Sequence, residues 1–440
     1  MNKKIFIKTL GCKVNQYESA SFLTGFTEAG YAPVKAKDKA DIVVINTCAV
    51  TAKAGAQSRQ AIRQAARSNP DARIIITGCL AETGIEALEK DEVLKTRDIT
   101  FIGNSSKDNL VKNCTEDRPA PFMPGAIGKA EKICHLPVKR FGDQARAWLR
   151  IQDGCENFCT YCIVPYTRGR SRSVDRKTVI EQAKVFARQG HREIVLTGIH
   201  LGHYGRDLPG NGDLTAILDE LSVTTPEVAY RISSIEPLEI SDKLLSLMEN
   251  RSNIQPHLHV PLQSGNDEIL RRMNRRYSTA QFREVIEMIN DRLPDAAIGI
   301  DVLAGFPGET GVQFTSGLNF LESLSFTYLH VFPYSIRPGT VAAGFANQVD
   351  GRTKEKRVAE LHRLGRRKKA TFYSGQLGKT WPVLVEGKRD RNGCLKGFTS
   401  NYVSVIFNGP DTLYHKKITV RLISLKGGHV LAQVEENNEG

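Results

Sequence analysis

The first hundred residues repeat one unit, in which a short apolar segment is followed directly by a cysteine and then by a stretch with helical periodicity. Cys12, Cys48 and Cys79 occupy this same place in three successive units, 36 and 31 residues apart. Apolar strands that alternate with helices predict a parallel sheet with helices packed on its faces. Because the carboxyl ends of parallel strands lie along one edge, where ligands bind, the three thiols are predicted to converge there.

Strands and helices alternate along two stretches of the chain. In the first, helices are predicted at 17–30 and 52–68, and strands at 4–10, 41–46, 73–77 and 101–104. The alternation stops over 116–140, where unpatterned Pro and Gly residues predict a linker. It returns with helices predicted at 178–189 and 281–292, and strands at 147–152, 193–197, 229–233, 256–260, 297–303 and 328–332. Six strands separated by helices predict an open or partial (β/α)6 barrel.

The last ninety residues change character. A basic helix is predicted over 352–371. The pattern then takes a period of two, with short strands predicted at 382–386, 402–407, 418–422 and 430–434. Such strands joined by Asn/Gly turns predict a small all-β barrel. The fold class is therefore α/β, and the predicted domains are 1–115, 141–371 and 372–437, with the linker 116–140 after the first.

Composition limits the classes of function. Hydrophobic residues make up 40% of the chain, and no apolar run approaches the roughly 18 residues of a membrane helix. Lys8 interrupts the first apolar stretch too early for a signal peptide, so a cytoplasmic protein without membrane contact is expected. Nine cysteines in such a protein favour metal binding or catalysis over disulfides. Of the net charge of +13, residues 351–440 carry +10, which is typical of a nucleic-acid partner; a solvated surface is the equal alternative.

The densest cysteine motif is Cys155-x3-Cys159-x2-Cys162, which directly follows the first predicted barrel strand. Thiolates suit iron–sulfur clusters, and three ligands leave one iron of a cubane open for a substrate. The alternative is a zinc site, whose best fourth ligand, His200, lies far along the chain.

The amino-terminal trio has an alternative interpretation as three buried apolar cysteines. Gly11 and Gly78, which allow close backbone approach beside two of these cysteines, favour a second cluster. The remaining cysteines show no comparable placement and are interpreted as ordinary thiols: Cys114, Cys134 and Cys394.

The central motif, with its aromatic Tyr161, resembles the signature of radical S-adenosylmethionine enzymes, and further motifs resemble those of the methylthiotransferase family. The matching segments run over nearly the whole chain, at 9–16, 46–50, 77–79, 165–173, 259–265, 305–310 and 334–340. The last β segment resembles the RNA-binding TRAM domain of that family. The resemblance implies a Rossmann-like amino-terminal domain, a central radical S-adenosylmethionine barrel and a TRAM-like carboxyl-terminal barrel.

The resemblance also implies cofactors and a reaction. Two [4Fe–4S] clusters are expected, one at Cys12, Cys48 and Cys79 and a catalytic one at Cys155, Cys159 and Cys162, together with S-adenosylmethionine. Cys12-Lys13-Val14-Asn15 is most similar to the branch that methylthiolates C2 of N6-threonylcarbamoyladenosine at position 37 of tRNA. The alternatives are isopentenyladenosine in tRNA, a ribosomal-protein aspartate or, in another class, an RNA-binding iron–sulfur redox sensor. A flavodoxin- or ferredoxin-like electron donor is implied, and the sulfur donor stays open.

Further site residues follow from barrel geometry, because functional groups gather at the carboxyl ends of barrel strands. The candidates for S-adenosylmethionine contacts are Tyr161, Gly198, Ser234, Glu236, Gln263 and Asp301. Charge and stacking aromatics suggest contacts to the tRNA anticodon stem–loop. The candidates for these RNA contacts are Arg168, Arg170, Arg172, Arg366, Arg367, Lys368, Lys369, Trp381 and Tyr402. For each candidate the alternative is a packing residue or a solvated charge.

Overall fold

The computed structural model describes residues 3–35, 39–115, 126–142, 144–210 and 212–435. The first part of the predicted linker, 116–125, lies outside these ranges, as do residues 436 and 437 of the predicted last domain. Among the described residues, no helix is both long enough and apolar enough to cross a membrane.

The first sheet is built from the apolar segments that the sequence predicts. Its strands pair in parallel in the order β2-β1-β3-β4-β5. Their bounds are β1 Lys4–Thr9, β2 Ala32–Pro33, β3 Ile42–Thr47, β4 Arg73–Gly78 and β5 Ile99–Ile102. The helices of this part are α1 Lys13–Glu28, α2 Ala52–Ser68, α3 Cys79–Thr83, α4 Ile85–Glu89 and α5 Leu110–Thr115. The strand β2 was not predicted, and β5 begins two residues before its predicted start.

Alternate residues of the buried strands face different helices. On β3, Val44 joins the core that includes Phe22 of α1, whereas Val43 joins the core that includes Ile62 of α2. Side chains of a strand alternate between its two faces, so a strand covered on both faces is mostly apolar, as residues 42–45 are in β3. All six residues of β3 are buried accordingly.

Six parallel strands of the central part follow one another in space as they do in sequence. Two three-stranded sheets, β6-β9-β10 and β11-β12-β13, are joined by bridges from Tyr230 to Ile254 and from Ser234 to His259. Among the described strands, no pairing joins β6 to β13, so the barrel is partial, as predicted. The bounds of these six strands are β6 Arg146–Arg150, β9 Glu193–Thr197, β10 Ala229–Ile232, β11 His257–Gln263, β12 Ala297–Ala304 and β13 Tyr328–Pro333. Two further short strands, β7 Gln152–Asp153 and β8 Arg172–Ser173, lie outside them.

Side-chain caps fix where several of the central helices begin. Asp175, Asp213 and Ser241 each accept a hydrogen bond from the backbone N–H three residues on. Ser278 and Thr310 form reciprocal capping boxes with a glutamine at the third helical position. The bounds are α6 Val164–Arg168, α7 Arg176–Arg188, α8 Leu214–Thr224, α9 Asp242–Asn250, α10 Asp267–Arg272, α11 Thr279–Arg292 and α12 Gly311–Ser323.

The concave face of the partial barrel is lined by polar and aromatic side chains from five strands. Arg146 of β6 and Arg231 of β10 both bind the Glu193 carboxylate of β9. Farther along, His259 of β11 hydrogen-bonds Asp301 of β12. These contacts bring side chains from different strands to one interior, which α1 borders where it packs along β6.

The carboxyl-terminal strands close into a barrel in the order β14-β15-β16-β18-β17. Their bounds are β14 Thr380–Val385, β15 Leu395–Thr399, β16 Ser404–Phe407, β17 Lys417–Lys426 and β18 His429–Val434. The sequence predicted four of these strands and missed β15, whose Lys396 and Gly397 break the apolar pattern. The preceding helix, α13 Gly351–Gly375, extends four residues beyond its predicted end.

This β barrel packs against the amino-terminal ends of the central strands. Asn401 is buried, and it donates to the backbone carbonyl of Asp295 and to the side chain of Gln376. Tyr402 has a positive φ of 66° and packs on His257 of β11, with ring centroids 4.4 Å apart. The turn between β15 and β16 is therefore the docking element of the barrel.

We expect Asn401→Ala to loosen this docking, because it leaves buried polar groups without partners at a cost of about 1–3 kcal/mol. The measurement is the rate of limited proteolysis between α13 and β14, together with the urea midpoint of unfolding. Asn392→Ala, at an exposed turn of the same barrel, is the matched control and should change neither quantity. Equal behaviour of the two variants would contradict the assignment of Asn401 as a docking residue.

Candidate active site and metal centres

The three amino-terminal cysteines lie at the carboxyl edge of the first sheet. Cys12 follows β1 and caps α1, Cys48 follows β3, and Cys79 begins α3 directly after β4. A Cβ atom on Gly11 would lie 2.9 Å from the Cys48 Sγ atom. Gly11 and Gly78 have φ angles of 94° and 92°, which glycine adopts without strain. The close backbone approach that these two glycines predicted is present.

These thiols lie within electrostatic range of one another. Burial, and then the neighbouring Cys79 and Cys12, raise the pKa of Cys48 to about 11. Burial also raises the pKa of Cys12, against the effect of Arg168. Three crowded thiols are a donor set for a soft metal centre, because ligation replaces their protons.

A buried ion cluster joins this edge to the central part of the chain. Arg168 binds Glu18 of α1 at 2.9 Å and Asp153 of β7 at 3.0 Å, and its side chain is only 1% exposed. The same guanidinium donates to Asn15 Oδ1 at 2.5 Å, and Asn15 donates to the carbonyl of Thr47. The Arg168 side chain thus connects the segments that carry the two cysteine trios.

Further cations complete the charge balance of this ion cluster. Lys107 contacts Glu18 at 2.5 Å, and Arg150 lies 3.7 Å from the same carboxylate. Burial alone would favour the neutral acid, but Arg168 and Lys107 hold the pKa of Glu18 well below its usual range. Two buried carboxylates, Glu18 and Asp153, therefore stay ionised among three buried cations.

The central trio lies in the loop between β7 and α6. Gly154 precedes it with a φ of 76°, and a Cβ atom there would lie 1.9 Å from the Arg170 carbonyl oxygen. The Cys155 N–H donates to the Gly169 carbonyl at 3.0 Å, and the Cys162 N–H donates to the Cys159 carbonyl at 2.9 Å. The loop is held by its backbone, which leaves the three thiols free to act as ligands.

Two charged side chains approach the sulfur atoms of this trio. Arg275 donates to Cys159 Sγ at 3.4 Å, and Glu236 is its carboxylate partner. His200 Nδ1 lies 3.6 Å from Cys155 Sγ, and its Nε2 lies 2.8 Å from Glu239. Burial would lower the pKa of His200, but bonds to Cys155 and Glu239 raise it to about 9. His200 therefore lies between the Cys155 sulfur and the Glu239 carboxylate, within hydrogen-bonding distance of both.

The spacing of the thiols also argues against a single ion. Among the described residues, neither trio has its sulfur atoms all within 4.8 Å of one another. A tetrahedral zinc ion, with zinc–sulfur bonds of about 2.3 Å, would hold its sulfur ligands within about 4 Å of one another. Each trio instead offers three soft thiolate donors, which is the donor set of an iron–sulfur cluster with one open iron.

The candidates for S-adenosylmethionine contacts fall into two groups. Near the central trio, Tyr161 is enclosed beside Cys159 and Cys162, and Glu236 reaches Cys159 through Arg275. Gly198 belongs to the same region. A Cβ atom there would lie 2.7 Å from Gln152 Oε1, and this oxygen accepts the N–H groups of residues 199 and 200.

The second group lies on the concave face. Ser234 Oγ is 2.6 Å from His259 Nδ1, and the other nitrogen of this ring is 2.8 Å from Asp301 Oδ1. His330 Nδ1 lies 3.2 Å from the same carboxylate oxygen, so four side chains form one polar chain. Gln263 ends β11 with a φ of 71° and is half-buried.

Of the three arginines beside the central trio that were predicted to contact RNA, two are buried. Arg168 belongs to the ion cluster, and Arg172 donates to the backbone carbonyls of residues 132, 168 and 170. Both are interior residues, so their prediction as RNA contacts is wrong. Arg170 is 77% exposed and stays a candidate.

The RNA-contact candidates of the basic helix and of the carboxyl-terminal barrel also divide into exposed residues and residues held by contacts within the protein. Arg366 and Arg367 are exposed, although Arg367 pairs with Glu322 at 2.5 Å. Lys368 instead donates to the carbonyls of residues 322 and 324, and Lys369 lies 4.9 Å from the Tyr373 ring centroid. Trp381 packs against the core of the barrel. Tyr402 forms part of a cleft of about 460 Å³ whose walls include Arg146, Trp148, Lys388, Lys396 and Phe398.

Several site residues were not predicted from the sequence. Glu18 and Asn15 could have been found as polar residues on the otherwise apolar face of α1, where Val14 and Tyr17 are also buried. Arg275 lies 116 residues from Cys159, and His330 lies 29 residues from Asp301, so only the fold brings these partners together. Of the other thiols, Cys114 and Cys134 are buried and Cys394 is half-buried.

Two family models match the chain. Residues 4–99 match the model described as uncharacterized protein family UPF0004, and residues 149–321 match the radical SAM superfamily. The chain is similar to the threonylcarbamoyladenosine tRNA methylthiotransferase MtaB of Bacillus subtilis, with 38% identity over 96% of this chain and 93% of that protein. It is also similar to the tRNA-2-methylthio-N(6)-dimethylallyladenosine synthase of Dictyoglomus thermophilum, with 33% identity over 98% and 99% of the two chains.

A solved structure shares the fold. The radical S-adenosylmethionine methyltransferase TsrM from Kitasatospora setae, with cobalamin and a [4Fe–4S] cluster bound, superposes with a TM-score of 0.56 over 78% of this chain and 77% of that chain. The sequence identity is 14%, so this likeness concerns the fold alone.

We expect Arg168→Met to destabilise the protein by about 3–5 kcal/mol, because it leaves two buried carboxylates short of a cation. The measurement is the shift of the urea midpoint of unfolding. Arg170→Met removes the same charge from an exposed neighbouring position and should shift the midpoint by less than about 0.5 kcal/mol. Unchanged stability of Arg168→Met with weakened binding to tRNA would restore the RNA-contact interpretation of Arg168.

Proposed function

Because the chain belongs to the radical S-adenosylmethionine tRNA methylthiotransferases, we propose that it methylthiolates C2 of N6-threonylcarbamoyladenosine at position 37 of tRNA. The cofactors of this enzyme are S-adenosylmethionine and [4Fe–4S] clusters. One observation carries the proposal: two cysteine trios lie on segments that a single buried arginine holds together.

Each trio supplies three thiolates and leaves one iron of a cubane without a protein ligand. Cys155, Cys159 and Cys162 would hold the cluster that binds S-adenosylmethionine, and Cys12, Cys48 and Cys79 the cluster that carries the transferred sulfur. Bound S-adenosylmethionine supplies the radical that activates C2 and the methyl group. The electrons would come from a flavodoxin- or ferredoxin-like partner.

The other side chains of the site position and shield these groups. Arg275 and His200 donate to cluster sulfur atoms and offset their negative charge. The neighbouring residues Tyr161, Gly198 and Glu236 border the space beside the central trio, where the methionine and adenosine parts of the cofactor would lie. The polar chain of Ser234, His259, Asp301 and His330, with Gln263 at the end of its strand, lines the concave face that would receive the target base.

The tRNA would approach along exposed basic and aromatic groups. Arg170, Arg366 and Arg367 are accessible to phosphates. The cleft beside Tyr402 combines Lys388 and Lys396 with aromatic walls, which is the combination that holds single-stranded nucleotides. A tRNA substrate also favours a cytoplasmic location.

The threonylcarbamoyl substrate is favoured over its alternatives by the relatives. The B. subtilis protein named for this substrate is 38% identical, whereas the D. thermophilum protein named for dimethylallyladenosine is 33% identical. Proteins that carry either name act on tRNA, which leaves the ribosomal-protein aspartate without support here.

The first prediction of this proposal concerns iron. After anaerobic reconstitution, we expect about eight irons per chain, because each cubane holds four. Replacing Cys12, Cys48 and Cys79 together by Ala should leave about four, as should replacing the central trio. Replacing Cys114, Cys134 and Cys394 together should leave eight. About four irons in the unaltered protein would contradict a second cluster.

The second prediction concerns the substrate. Reduced, reconstituted protein should convert an anticodon stem–loop bearing threonylcarbamoyladenosine to its 2-methylthio derivative and release 5′-deoxyadenosine, both measured by mass spectrometry. The same stem–loop with dimethylallyladenosine is the comparison and should react at least about tenfold more slowly. Preference for the dimethylallyl substrate would contradict the proposed substrate and leave the family assignment intact.

A further inference from the structure

A cluster of cations borders the concave face beside Cys12. Arg146, Arg231 and Lys13 lie within electrostatic range of one another, and Glu193 is the one carboxylate that acts on Lys13 there. Glu193 binds Arg146 at 2.5 Å and Arg231 at 3.0 Å. Glu386 also acts on Arg146, so these three positive charges face two carboxylates, which leaves a local excess of one positive charge.

Arg146 and Arg231 differ in how many of their guanidinium donors are already used by acceptors within the protein. Arg231 uses two nitrogens on Glu193 and a third on the carbonyl of Ser400, and its guanidinium covers the Tyr402 ring at 4.9 Å. Arg146 uses only Nε on Glu193. Arg231 is thus a docking residue, whereas Arg146 keeps donors for another acceptor.

Lys13 has no carboxylate partner among the residues that the structure describes. Its ammonium lies 5.9 Å from the centroid of the Trp148 ring, and it remains accessible to solvent. The Trp148 indole N–H donates to Gln16 Oε1 at 2.6 Å, which fixes the ring beneath the lysine. An exposed lysine held beside an indole, in a region with excess positive charge, is placed to receive an anion.

The position of Lys13 limits which anionic group of a bound tRNA it could contact. Lys13 follows Cys12 directly and begins α1. In the proposed function, Cys12 holds the cluster that delivers sulfur to C2 of adenine. The N6 substituent lies on the same edge of the base as C2, separated from it by N1. A group beside Cys12 therefore meets the substituent, while the phosphates lie on the other side of the nucleoside.

We infer that Lys13, assisted by Arg146, binds the carboxylate of the threonylcarbamoyl group and so selects this substrate over adenosines with apolar N6 substituents. The inference rests on the proposed function, because it assigns a residue to that substrate. The dimethylallyl group has no anion to offer, so its entry would leave the positive charges of this site unpaired, which costs affinity.

The test measures binding of anticodon stem–loops to reconstituted protein by fluorescence anisotropy. Two RNAs are compared, one with the free threonyl carboxylate and one with the carboxamide in its place. Lys13→Met should weaken binding of the carboxylate RNA by about tenfold or more, because a charge-assisted hydrogen bond is lost. It should change binding of the carboxamide RNA by less than about twofold. Lys13→Arg should restore most of the preference.

Controls separate this role from others. Lys184→Met removes a lysine of the outer helix α7 and should weaken both RNAs equally and slightly. Iron content and the visible absorbance of the clusters should be unchanged in Lys13→Met, which excludes a role in cluster assembly. Equal loss of both RNAs in Lys13→Met, or no preference for the carboxylate in the unaltered protein, would overturn the inference. Methylthiolation of the carboxylate RNA by the unaltered protein would still stand, which keeps the proposed function separate.

Discussion

The geometry of this protein depends on the buried ion cluster around Arg168. A guanidinium that is shared between Glu18 of α1 and Asp153 of β7 fixes the first sheet against the partial barrel at the point where both carry their cysteines. Burying such charges is costly unless each is paired, so the arrangement has few alternatives once it forms. The distance between the two thiol trios is therefore set by side chains that are themselves not ligands.

The predictions from sequence succeeded where the determining pattern is local. The apolar strands, the helix at Ala52–Ser68 and the placement of Cys12, Cys48 and Cys79 after successive strands all follow from periodicity and from the rule for parallel sheets. Alternation also predicted the small all-β barrel, but not its strand order, in which β18 lies parallel to β16. The strand β15 was missed because its polar and glycine residues interrupt the alternation.

The predictions failed where the partner of a residue is distant in sequence. Arg168 and Arg172 look like solvated charges in a run of arginines. Arg168 instead pairs with carboxylates 15 and 150 residues away, and Arg172 donates to the carbonyl of Lys132, 40 residues away, so both are interior residues. Lys368 was predicted to contact RNA, but its ammonium donates to the carbonyls of residues 322 and 324. Charge alone does not distinguish a cation that binds phosphate from one that completes a buried network. That distinction depends on tertiary contacts that no local pattern contains.

The hydrophobic core has a consequence for how the chain folds. One continuous cluster of buried side chains includes Phe22 and Phe26 of α1 and also Leu149, Ile194 and Leu258 of the central strands. Separating the amino-terminal part from the central part would therefore expose apolar surface on both. The first sheet and the partial barrel should therefore unfold in a single cooperative transition. A fragment that contains only one of them, from incomplete synthesis or proteolysis, would depend on chaperones to avoid aggregation.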